Sequence, residues 1–162
     1  MYQKKTAYLG VFAAVAIIFG YVESLFPFFA GIPGIKLGLA NLAVLYILEK
    51  YTWKEAALVS AVRIVVIGFL FGNMFSILYS LAGAALSLAV MTLMKKRSDF
   101  SILGVSVSGG VSHNIGQLIV AALIVENAAF LYYAPVLIIS GVITGLLIGL
   151  LTREVAKRIP DL

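Results

Sequence analysis

Apolar residues run through this chain in long stretches, and the charges that interrupt them mark its elements better than any short periodicity does. No charged residue occurs between Arg63 and Lys95, between Asp99 and Glu126, or between Glu126 and Arg153. A helix needs roughly 20 residues, at about 1.5 Å of rise each, to cross a bilayer, so each stretch is long enough to do so. The first of them, at 31 residues, is too long for one comfortable span, and Gly72-Asn73 near its start supplies a turn. Applied to the whole chain, this reading predicts six helices, at about 6–26, 34–50, 54–72, 74–94, 101–125 and 129–152. The uncharged run from Thr6 to Val22 exceeds the apolar segment of a usual signal peptide and no small-residue cleavage site follows it, so it reads as a retained first helix.

Composition strengthens the picture. Of 162 residues, 62% are hydrophobic and 12% charged, whereas soluble domains run near one half and about one quarter. Six spans consume nearly all of the chain, so residues 1–162 are expected to form a single integral membrane domain, an all-α polytopic bundle without a soluble catalytic domain. The net charge of +5 could suggest nucleic acid, but the charges sit at helix ends and point to a lipid bilayer instead. Lys4, Lys5, Lys50, Lys54, Lys95, Lys96, Arg97, Arg153, Lys157 and Arg158 account for ten of the twelve Lys and Arg residues. A six-helix layout puts all ten on one face, which the positive-inside rule makes cytoplasmic, with both termini on that side of the cell membrane.

The two remaining bases carry the most information. Arg63 falls near the middle of the third predicted helix, where a charge costs roughly 2.5 kcal/mol or more unless it is paired, hydrated or used. Two readings are open: a receptor for a carboxylate or phosphate, held in bidentate fashion, or an internal ion pair, most naturally with Glu23. Side chains lean toward helix N-termini, so Glu23 leans toward the midplane, while Arg63 would have to reach upward to meet it. Lys36 stands at the outer start of the second helix, where it either snorkels to the interface or adds a second positive group to Arg63. Asn41 and Gly38 follow it, after Ile32-Pro33-Gly34, a defined helix start where backbone can approach a ligand.

The fifth helix holds a second concentration. Gly110, His113, Asn114 and Gln117 stand at i, i+3, i+4 and i+7 and share one stripe. Interhelical hydrogen bonding is the ordinary use of Asn, Gln and His in bundles, but this stripe together with an intramembrane arginine describes the wall of a binding site. Phe28 and Phe29 could form an apolar lid. Most other aromatic residues, among them Tyr46, Tyr51, Trp53, Tyr132 and Tyr133, fit an interfacial belt.

Several chemistries have no residues to carry them. Cysteine is absent and His113 is the sole histidine, which leaves zinc without an ordinary ligand set. The two aspartates, Asp99 and Asp161, form no magnesium motif, and no Walker loop occurs. An enzyme is not expected, and no cofactor is required for chemistry; what is expected is a bound organic ligand. Small residues recur at four-residue spacing in Gly141, Gly145 and Gly149, in Ser76, Ser80 and Ala84, and in Gly10 with Ala14 and Ala16 with Gly20. Such ladders serve either internal packing or a docking face for another membrane subunit.

The segments Pro33 to Asn41, Arg63 with Phe71-Gly72, and Ser112-His113-Asn114-Ile115-Gly116-Gln117 resemble the Gx transporter family, also labelled heptaprenyl diphosphate synthase component I, over essentially the whole chain. That family is similar in size and layout to the substrate-binding S components of energy-coupling factor transporters. The resemblance implies uptake of a vitamin or cofactor precursor through a pocket in the outer half of the bundle. It also implies a helix-one face, here Gly10, Ala13, Ala14 and Ala16, against a transmembrane coupling subunit driven by two cytoplasmic ATPase subunits. Substrate contacts would fall to Glu23, Lys36, Asn41, Arg63, Gly110, His113, Asn114 and Gln117. The synthase label implies instead a non-catalytic membrane subunit or anchor for a prenyl diphosphate synthase. A third, weaker alternative is a stand-alone carrier or a haem protein with His113 as axial ligand.

Overall fold

The computed structural model describes residues 2–25, 37–97 and 99–159. All regular structure among them is helical: α1 (Tyr2–Leu25), α2 (Leu39–Lys50), α3 (Trp53–Phe71), α4 (Met74–Lys95), α5 (Ile102–Ile124), a 3-10 helix (Ala128–Tyr133) and α6 (Ala134–Arg158). Four segments are long and apolar enough to cross a membrane, namely Lys5–Leu25, Met74–Lys95, Ile102–Ile124 and Ala128–Arg158. Their outer faces are apolar as well: Leu123 is 70% exposed, Leu93, Ile143 and Val11 are similarly open, and Phe69 of α3 is as exposed as Leu123. Water would not tolerate so continuous an apolar surface, and lipid demands it. The chain is an all-helical membrane protein.

Local chemistry explains the helix boundaries. Thr52 caps α3 through a capping box with Glu55, and Asn73 caps α4, its side-chain oxygen accepting from the Ser76 N–H at 2.8 Å while Ser76 Oγ accepts from the Asn73 N–H. Gly72-Asn73 is thus the turn that divides the long charge-free stretch. α2 starts at Leu39, later than the predicted 34, because Gly38 adopts φ 75°, a left-handed geometry that glycine takes without strain. Residues 26–36, with Phe28, Phe29, Pro33 and Lys36, lie outside the described residues. The sixth element differs from the expectation too: a 3-10 turn precedes α6, and Pro135 sits in the first turn of α6, where its missing N–H is harmless.

In space α1, α2 and α3 pack on one another, α5 packs between α4 and α6, and the two groups meet where α3 touches α4 and α2 touches α6. α2 spans only 12 residues but is buried nearly all round, at Ala40 and from Ala43 to Leu48. It forms the centre of the core, against Ala16, Val59, Met91, Val105 and Ile148. Tyr46 belongs to this core, stacked at 4.7 Å on Phe12, rather than to an interfacial belt.

The basic end of the bundle is stitched by its own charges. Lys5 of α1 bridges to Glu55 of α3 at 2.5 Å. Lys95 of α4 donates to the carbonyls of Leu48 and Glu49 at the end of α2, satisfying oxygens that the helix leaves open. The starts of α1 and α3 and the ends of α2 and α4 therefore share one end, as alternating helices require.

Candidate binding site

The site grows out of how α5 is packed. On its α6 side the helices approach to backbone contact: a Cβ on Gly110 would stand 2.6 Å from the Gly141 carbonyl oxygen, and one on Gly145 would stand 2.7 Å from Val107 Cα. On the α4 side, Gly83 lies against the carbonyl of His113, and Ser87 Oγ donates to the Gly109 carbonyl at 2.8 Å. The glycine ladder of α6 is therefore internal packing. Between these closely packed flanks, the polar stripe of α5 borders a cavity.

A small polar cavity of about 60 Å³ lies there, and every helix lines it. Glu23 comes from α1, Asn41 from α2, Arg63 from α3, Ser80 from α4, the stripe Gly110, His113, Asn114 and Gln117 from α5, and Thr144 from α6. The structure brings together seven residues that the sequence nominates: Glu23, Asn41, Arg63, Gly110, His113, Asn114 and Gln117. Lys36, the eighth, lies outside the described residues. Ile64, Ser80 and Thr144 also line the cavity. The sequence offered only their helical neighbourhood, since Ser80 read as a member of a packing ladder and Thr144 stands next to the Gly145 one.

Within the cavity the polar groups hold one another. An Arg63 guanidinium N–H donates to Asn41 Oδ1 at 2.6 Å, while its Nε is buried without a partner among the described residues. Glu23 spends its carboxylate on the Leu39 N–H, at 2.9 Å, and so caps the start of α2. Of the two readings open for Arg63, the described hydrogen bonds give its guanidinium a neutral amide, while the Glu23 carboxylate lines the same cavity. Asn114 Nδ2 donates to the Leu137 carbonyl at 2.8 Å and ties α5 to α6, the ordinary interhelical use, while still bordering the cavity. His113 is half-buried and engaged. A half-buried guanidinium whose hydrogen-bond partner is a neutral amide keeps donors for an incoming acidic group, which would enter beside the Glu23 carboxylate that lines the same cavity.

The helix-one face needs a correction. Gly10 is exposed, with nothing within 4 Å of where a Cβ would be, and Ala14 is exposed beside it. Ala13 packs partly on the core, and Ala16 is wholly buried in it, so Ala16 cannot meet a partner. The reason is geometric: Ala16 lies on the opposite side of the helix from Gly10 and Ala14 and fits against α2 because it is small.

Comparison with known families gives one match: the model described as heptaprenyl diphosphate synthase component I covers residues 12–155. Comparison with curated proteins and with solved structures gives no match.

Proposed function

The chain belongs to the heptaprenyl diphosphate synthase component I family, and from that membership and the polar cavity we propose that it is the substrate-binding membrane subunit of an uptake transporter. The transporter is of the energy-coupling factor type, and its substrate is a vitamin or cofactor precursor bearing an acidic group. The six-helix bundle lies in the cell membrane with short α2 at its centre, the basic end faces the cytoplasm, and the cavity lies toward the outer side. One observation carries the reading: Arg63, fixed by Asn41 and with Nε unmet, in a cavity lined by every helix. Such an arginine binds an acidic group without being reorganised first. His113, Asn114 and Gln117 then meet polar edges of the ligand. The open stripe at Gly10 and Ala14 receives a transmembrane coupling subunit, and two cytoplasmic ATPase subunits supply the energy.

The family description favours a second reading, a non-catalytic membrane subunit associated with a prenyl diphosphate synthase. Affinity purification of the full chain from its native membrane in mild detergent separates the two. Recovery of a polytopic membrane protein together with ATPases supports transport, whereas recovery of a soluble, aspartate-rich synthase overturns it.

A further inference from the structure

The polar cavity is large enough for an acidic group and too small for the rest of a molecule, since small-molecule sites run to roughly 300–1,000 Å³. A second cavity of about 450 Å³ lies beside it, between α4, α5, the 3-10 helix and α6. The rings of Phe75, Tyr79, Phe130 and Tyr133 make up much of its wall. Gln117 lines both cavities. That residue is 6% exposed, so the surface it still shows belongs to the two cavities it borders. Its place between an aromatic chamber and an arginine makes it a gatepost, aimed at whatever passes from one to the other. The contiguity extends beyond Gln117: Tyr79 of the apolar wall precedes Ser80 of the polar one, and Leu137 of the apolar wall receives the hydrogen bond of Asn114.

We infer that the two cavities are one binding site for an amphiphile, with an aromatic or unsaturated apolar body in the larger chamber and a carboxylate or phosphate reaching past Gln117 to Arg63. This rests on the acidic-substrate reading above and adds the chemistry of the remainder of the ligand. Gln117 donates to, or accepts from, the polar atoms at the junction, so body and head are read by different walls. An acyl chain of the surrounding lipid is the competing occupant. It would fill the apolar chamber without using Arg63.

Three probes separate these cases by calorimetric titration of the full chain in phosphatidylcholine nanodiscs, with empty nanodiscs as blank: 4-(2-naphthyl)butanoate, 4-(2-naphthyl)butan-1-ol, which lacks the charge, and butanoate, which lacks the body. The acid with the ring should bind at least about tenfold tighter than either of the others, each factor of ten being about 1.4 kcal/mol. Arg63→Ala should reduce that acid to the level of the alcohol and leave the alcohol unchanged. Ala121→Phe, which fills the larger chamber, should weaken the acid about tenfold. Ile124→Phe, at the more open rim of the chamber, serves if Ala121→Phe fails to fold. The inference falls if the naphthyl group adds nothing over butanoate, or if neither chamber variant alters binding while Arg63→Ala still does; the acidic-substrate reading then survives alone. Equal binding of acid and alcohol, with no effect of Arg63→Ala, overturns both and marks the chamber as a lipid groove.

Discussion

The two sides of α5 are built in opposite ways. Toward α6 it meets its neighbour at backbone distance through Gly110, Gly141 and Gly145, with no room for even a methyl group. Along another stripe it brings His113, Asn114 and Gln117 to the border of a cavity that Glu23, Asn41 and Arg63 also line. In lipid no hydrophobic effect draws helices together, so close contact has to come from small residues and polar ones. Glycine gives van der Waals contact and rigidity, and polar side chains give contact that a ligand can compete for. The comparison sets a seam that holds two helices together beside a polar stripe on which the proposed binding rests.

The most damaging change should be on the glycine side. Gly145→Leu drives a side chain into the Val107 backbone and should cost about 3 kcal/mol or more, beyond the usual about 1–3 for overpacking because backbone cannot step aside. Loss of the monodisperse peak in size-exclusion chromatography would show it, and no ligand should restore the peak. If the variant folds and melts normally, the glycine seam is not what joins α5 to α6.

On the other side, Arg63→Ala should leave the fold in place and remove binding. A hydrogen bond to a charged group is worth about 1.5–3 kcal/mol, so affinity for an acidic ligand should fall roughly 10- to 150-fold. Arg63→Lys should recover only part of this, because an ammonium lacks the planar fork that engages an acid and Asn41 together. An equal loss of melting temperature in Arg63→Ala and Gly145→Leu would erase the distinction between the two sides.

Gly38→Ala probes the hinge between them, where the chain enters α2 next to the cavity. A side chain at φ 75° costs about 1–2 kcal/mol, and the shift of Asn41, whose N–H bonds to the Gly38 carbonyl at 2.8 Å, should weaken binding several-fold as well. A thermal melt and a titration on the same sample measure both.

The smallest effect on the fold is expected at Gly10→Val. Nothing lies within 4 Å of the new Cβ, so stability should change by no more than about 0.5 kcal/mol, as at other exposed sites. Its effect should appear only as reduced recovery of a coupling subunit in affinity purification.

Much of this arrangement is legible in the sequence. Charge spacing places the six helical segments, apart from the starts of α1 and α2 and both ends of α6, because a charge in lipid is costly enough to act as punctuation. The polar stripe of α5 is legible for the same reason, and with Arg63 it locates the cavity. Three features are not legible. The fate of a small-residue ladder depends on what faces it: Gly141, Gly145 and Gly149 are packed against α5, while Gly10 is open, and the spacing is the same in both. The partner of Arg63 depends on where the start of α2 sits, which sets the Asn41 amide at the guanidinium and the Leu39 N–H at Glu23. The burial of α2 is hidden by its length, since 12 residues are short for a span and its interior place comes only from the helices around it.

The most direct test is native mass spectrometry of the full chain released from its own membrane, with the wild type and Arg63→Ala compared side by side. A small acidic molecule bound to the wild type and missing from Arg63→Ala, with both proteins equally folded, is the predicted result. The same bound mass on both proteins, or none on either, would contradict the claim that this arginine holds a substrate.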